Sequence, residues 1–167
     1  GFGYEPDIGG AQAAFAQYAG GKVKNPKKPS AGMTGIKVGN TSVKIVGYGC
    51  GDDTVPTAVK ETRRLMEQLK ADVMIGPLSG DEAVSVAAEL RTTNRLATID
   101  YLGEDTTDRA RAEATRDTYV HLLEALAEAD LAAYGAAEVS VKLSAVGQAL
   151  PQDGDAIALE NARAICE

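Results

Sequence analysis

Apolar positions recur along this chain first with a helical and then with an alternating period, and the changes of period define its elements. Residues 7–19, "DIGGAQAAFAQYA", place Ile8, Ala11, Phe15 and Tyr18 at helical spacing, which predicts a helix whose start is weakened by two glycines. The following "AGGKVKNPKKPSAGMTG" is rich in Gly, Pro and Lys and reads as a solvated loop. In "IKVGNTSVKIVGYG" two β-prone runs flank Gly39-Asn40, predicting a hairpin that leads into a core strand at about 43–49.

From there helix and strand alternate. Asp53 or Thr54 is placed to cap a helix with Pro56 in its first turn, and Val55, Val59, Thr62, Leu65, Met66 and Leu69 line one face of it. "DVMIGP" at 72–77 reads as a buried strand, and Ala83, Val84, Val86, Ala87 and Leu90 mark a helix over about 80–94. "LATIDY" at 96–101 is the next strand. Thr107 opens a long helix with Tyr119, Leu122, Leu123 and Leu126 as its stripe, "EVSVKLS" at 138–144 is another strand, and "DAIALENARAIC" is the last helix. The crossovers are long enough for parallel pairing. The expected fold class is therefore α/β, a single domain built on a mostly parallel open sheet of about 4–5 strands flanked by helices. Periodicity leaves open a doubly wound sheet, flavodoxin-like or Rossmann-like, or (βα)-barrel units, and the open sheet is expected because four or five strands are too few to close a barrel.

Composition supports a folded chain, with 44% apolar and 25% charged residues among 167. No apolar run approaches the roughly 20 residues of a membrane span, and the first residues lack the order of a signal peptide, so a soluble protein is expected. The net charge of −7 argues against a nucleic-acid partner. Its distribution is uneven. Residues 1–88 carry eight Lys and two Arg against five Asp and four Glu, for +1, whereas residues 89–167 carry one Lys and six Arg against seven Asp and eight Glu, for −8. Gly and Pro are also concentrated in the first half. The break falls inside a predicted helix, a poor place for a linker.

In parallel α/β folds chemistry gathers at the carboxyl ends of strands, and three places qualify. In "GPLSGDEA", Ser79 with the amides around Gly80 and Asp81 opens a helix, where dipole, free N–H groups and a hydroxyl suit a carboxylate or phosphate. The plain alternative is that Ser79 or Asp81 caps the helix. In "TIDYLGED", Asp100, Glu104 and Asp105 form a carboxylate cluster that can bind a cation, orient a substrate or simply cap the helix near Thr107. In "EVSVKLSAVG", Val139, Val141 and Leu143 alternate with Ser140, Lys142 and Ser144, so one face is apolar and the other polar. Lys142 then either faces a polar lumen or stands on an edge strand where it discourages aggregation.

His121, the sole histidine, reads as a surface residue, and nothing has the spacing of a metal site. Cys50 and Cys166 allow one disulfide, with two unpaired thiols the simpler expectation. The polar run at 109–117 reads as a solvated helix face.

Two resemblances enter on these motifs. Residues 1–87, with "EPDIGGAQAAFAQYAGG" and "VKIVGYGCGDDTVPTAVKETRRLMEQLKADVMIGPLSGDEAVSVA", resemble the N-terminal lobe of a periplasmic amino-acid-binding protein of the branched-chain ABC transporter class. The resemblance implies that Ser79 and Gly80, with Asp81 beside them, hold a ligand carboxylate, the ligand being a small amino acid. Residues 88–167, with "RLATIDYLGEDTTDRARAEATRDTYVHLLEALAEADLA" and "AEVSVKLSAVGQALPQDGDAIALENARAIC", resemble monofunctional proline dehydrogenase, a flavin-bearing (βα)8 barrel that oxidises proline. That implies FAD as the cofactor of the complete barrel and places Lys142 beside flavin and substrate, with Asp100 and Glu104 in the "DYLGE" motif. The family's later strands and the arginine pair that grips the substrate carboxylate have no counterpart here. The joint reading is a chimera without complete activity of either parent and with no cofactor of its own, whose exposed sheet edge can carry an oligomer contact. The alternatives are a small amino-acid-binding module and an engineered scaffold without ligand. The two families live in different compartments, so localisation stays open.

Overall fold

The computed structural model describes residues 4–52, 54–75, 80–101, 103 and 105–167. The chain divides into two compact units, Gly1–Pro77 and Leu78–Glu167. The junction between the two resemblances, at 87/88, lies within a helix of the second unit.

In the first unit α1 (Tyr4–Ala19) carries the predicted helical run, but it buries a different face. Gln12 is only 2% exposed, whereas Ala11 and Tyr18 face solvent. The reason is polar: the Gln12 Nε2 donates to the Pro29 carbonyl at 2.6 Å and to the Tyr48 hydroxyl at 3.2 Å, and these partners hold the amide inward. Gly20 ends α1 with φ +66°, and the Gly21 N–H reaches back to the Phe15 carbonyl at 3.0 Å. A Cβ at Gly21 would sit 2.7 Å from the Met33 methyl, so the glycine lets the next segment pass close to α1.

The lysine-rich segment is ordered rather than a plain loop. β1 (Lys22–Val23) pairs antiparallel with β2 (Met33–Thr34) around a helical turn at Pro29–Ala31. β3 (Ile36–Val38) and β4 (Thr41–Val43) form the expected hairpin, with Val38 opposite Thr41 across the Gly39-Asn40 turn and Gly39 at φ +57°. Residues 44–51 run without a ladder. Their place against α2 (Val55–Arg63), which continues as a wide helical turn over Arg64–Gln68, is set by side chains instead. The Arg64 guanidinium donates to the Tyr48 carbonyl at 2.6 Å and to Glu61 Oε2 at 2.8 Å, supplying the partner that a neighbouring strand would have supplied. That hydrogen bond from Arg64, the largest influence on Glu61, holds its carboxyl below the usual range. Thr62 and Met66 of the predicted stripe are buried, together with Ala58.

In the second unit α3 (Gly80–Arg91) precedes β5 (Ala97–Asp100), α4 (Arg109–Glu128) crosses over to β6 (Ala137–Ser140), and α5 (Gly154–Cys166) closes the chain. The strands are parallel and in register, Ala97 opposite Ala137 through Asp100 opposite Ser140. α4 is capped by Asp108, whose carboxylate accepts the Arg111 N–H at 2.8 Å, in place of Thr107, Asp100 or Asp105. Val139 packs into two apolar clusters. One is built on Ala87, Leu126, Leu131 and Ala137, the other on Tyr119, Val146, Ala158 and Ile165. The short sheet is thus covered by helices, as α/β layering requires.

The architecture is mixed α/β, and the expected open sheet of 4–5 mostly parallel strands is not formed. Among the described residues there are three two-stranded sheets, and only β5 and β6 are parallel. The predicted strand at 43–49 is paired only at its first residue, and the described part of the 72–77 run is unpaired, with Val73 and Ile75 exposed. An apolar run becomes a strand only where a neighbour takes its N–H and C=O groups, and no such neighbour lies beside these runs among the described residues. The flavodoxin-like or Rossmann-like sheet is corrected accordingly to a single βαβ unit.

Candidate functional site

The carboxyl ends of β5 and β6 bring two of the sequence candidates together. Asp100 closes β5 and Lys142 follows β6 by two residues, and the Lys142 Nζ donates to Asp100 Oδ2 at 2.7 Å. Register explains the meeting. Asp100 stands opposite Ser140, and the chain leaving β6 turns at once into a helical turn over Ser144–Gln148, with the Ala145 N–H on the Lys142 carbonyl at 3.0 Å. The same turn ends the predicted alternation early: Val141 still packs inward, while Leu143 is in helical geometry and exposed.

Tyr119 of α4 fixes both strand ends from beneath. It is fully buried, and its hydroxyl donates to the Ser140 carbonyl at 2.8 Å and accepts the Tyr101 N–H at 3.2 Å, with Asp100 Oδ1 at 3.4 Å. Its ring meets Tyr101 edge-on, with centroids 6.1 Å apart. Burial, the largest cause, pushes the Tyr119 phenol above its ordinary value, and the nearby Asp100 carboxylate adds to this. Periodicity assigned Tyr119 only to an apolar stripe. The available signal was the residue type, because a tyrosine inside an apolar stripe must find a partner for its hydroxyl.

The pair leaves one side open. The Lys142 and Asp100 side chains keep 38% and 33% of their surface, so the attraction between them is worth about 0–1 kcal/mol and the ammonium remains reachable from solvent. A site that holds a flavin buries most of the ring, whereas the Lys142 and Asp100 side chains are each about a third exposed. By themselves they do not fit the group.

The other candidates stay apart. Ser79 and Glu104 lie outside the described residues. Gly80 is the first residue of α3, Asp81 follows it, and the Asp81 side chain lies outside the described set. Asp105 is exposed, with φ +50°, and makes no ion pair among the described residues. His121 is on the surface, and Cys50 and Cys166 are free and exposed. Among the described residues no group of His, Cys, Asp and Glu could hold a metal ion, and no helix is long and apolar enough to cross a membrane.

No protein-family model matches the chain, and neither a curated protein nor a solved structure matches it.

Proposed function

We propose that this chain is a hybrid α/β protein in which residues 88–167 carry the opening βα portion of a proline dehydrogenase-like barrel, folded but without proline turnover of its own. The observation that supports this reading is the Lys142–Asp100 pair at the carboxyl ends of adjacent parallel strands. Active groups of (βα) folds gather at that end, and it is where the resemblance puts a lysine beside flavin and substrate.

What these residues do on their own follows from their geometry. Asp100 neutralises and orients the Lys142 ammonium, Tyr119 holds both strand ends, and a carboxylate-bearing ligand at the exposed side of Lys142 would compete with Asp100 for the same charge. Turnover asks for more. Holding a donor against an acceptor supplies on the order of 7–11 kcal/mol of barrier lowering, and it needs walls on every side of the substrate. An ion pair this exposed gives little of that.

The test is proline-dependent reduction of a redox dye by the purified chain with added FAD. The rate is expected to equal that of FAD alone and to be unchanged in Lys142→Met. Dye reduction that requires proline and disappears in Lys142→Met would overturn the proposal.

A further inference from the structure

We propose that the outer face of the two β-hairpins in the first unit docks on an anionic lipid surface, an inference independent of the Lys142 site. Between residues 8 and 51 the chain has no Asp or Glu and carries Lys22, Lys24, Lys27, Lys28, Lys37 and Lys44. All six lysines are exposed, and none makes an ion pair among the described residues. A chain that is acidic overall thus concentrates unneutralised positive charge on one short stretch.

Strand geometry puts this charge on the outer side. Lys22 and Lys24 alternate with Val23, whose partner Met33 is buried, and Lys37 alternates with the buried Ile36. Lys37 stands opposite Ser42, and Lys44 directly follows the last paired residue of β4. Met33 and Ile36 both lie against Gly21 at the end of α1, so the lysine faces of both hairpins turn away from the same core. Lys27 and Lys28 sit in the connection between β1 and β2.

The chemistry of the patch selects the partner. Its cations are all lysines, the first arginine being Arg63, so it lacks the planar forks that grip individual phosphates of a nucleic acid. Neither hairpin carries an aromatic residue on which bases could stack. Strand alternation puts the exposed Val38 on the side of Ile36, so the face that carries Lys37 and Ser42 is itself polar. A diffuse field of ammonium groups on a polar face suits a headgroup layer, which offers a continuous sheet of negative charge rather than individual sites.

The test is co-sedimentation of the whole chain with phosphatidylcholine vesicles, with and without about 30% phosphatidylserine. Binding is expected only with phosphatidylserine and is expected to fade with added salt. Each lysine near such a surface contributes about five-fold to partitioning, so replacing Lys22, Lys24, Lys37 and Lys44 by Gln should weaken binding about a hundred-fold or more. Val38→Ser, on the opposite face of β3, should leave binding unchanged. Circular dichroism of both variants should match the parent, since every substituted side chain is exposed. Failure to sediment with phosphatidylserine vesicles, equal sedimentation of the lysine variant, or binding to an oligonucleotide in place of vesicles would each overturn the proposal.

Discussion

Tyr119→Ala is expected to destabilise the second unit by about 4 kcal/mol, the range found when a buried aromatic side chain is emptied from a core. Tyr119 is fully buried beside Val146, Ala158 and Ile165, and it also joins the ends of β5 and β6 through one hydroxyl. Tyr119→Phe separates the two roles. It keeps the ring and removes the oxygen, which strands the Tyr101 N–H and the Ser140 carbonyl, and it should cost about 1–3 kcal/mol. Denaturant unfolding followed by near-ultraviolet signal and by amide exchange in β5 and β6 reads both losses. The phenol adds a pH signature. Its pKa in the folded chain lies above the ordinary value of 10.0, so the associated stabilisation is fully present below about pH 10 and is lost as pH rises through the folded value. Stability of the parent chain should therefore fall above pH 10 toward that of Tyr119→Phe, with the two curves converging. A parent curve that runs parallel to the Phe variant through this range would show that the hydroxyl does not sit in the described environment.

Gly154→Ala should be nearly as damaging, although it adds only one methyl group at the start of a helix. A Cβ there would lie 2.5 Å from the Gln148 carbonyl oxygen and 3.1 Å from both the Gln148 carbonyl carbon and the Gly147 carbonyl oxygen. These are backbone atoms, which cannot rotate away as a side-chain end would. The turn they belong to is already constrained: Gly147 has φ +120°, and Asn161 of α5 clamps it by donating to the Val146 carbonyl at 2.9 Å. Overpacking against such a turn costs about 3 kcal/mol. In a unit of this size that is on the order of 15 °C in melting temperature. Gly103→Ala is the control, since its Cβ would meet only the Ala145 methyl at an ordinary 3.9 Å. Calorimetry should show a large shift for the first substitution and almost none for the second. Equal melting of both variants would mean that α5 does not pack on the Ser144–Gln148 turn as described.

Elements whose period decides them were readable from the sequence, and elements that depend on a partner were not. α4 and α5 announce themselves by stripes such as Tyr119, Leu122, Leu123 and Leu126, and the β3–β4 hairpin by Gly39-Asn40. The runs at 43–49 and 72–75 have the same β-prone composition as β5 and β6, but composition does not say whether a neighbouring strand exists. For residues near Tyr48 an arginine side chain fills that role instead. Gln12 was invisible for a related reason. Apolar periodicity cannot see a buried amide that is held by the Pro29 carbonyl.

The candidate site was half legible. Asp100 and Lys142 were each singled out by position at a strand end, yet their pairing spans 42 residues and depends on the register of β5 with β6. The Lys142 face was open to two readings, a lumen or a wet edge. The ion pair with Asp100 explains why a lysine is tolerated there in either case. Whole-chain charge is a coarse guide in a different way, because −7 includes a stretch of more than forty residues without an acid, whose lysines lie on and around two hairpins.

The central claim is that the Lys142–Asp100 pair belongs to a folded but incomplete flavin-enzyme segment. The visible spectrum of the chain tests it most directly, recorded as purified and again after incubation with FAD and removal of unbound cofactor. No flavin band near the blue is predicted in either sample. A retained band that bleaches when proline is added would contradict the account.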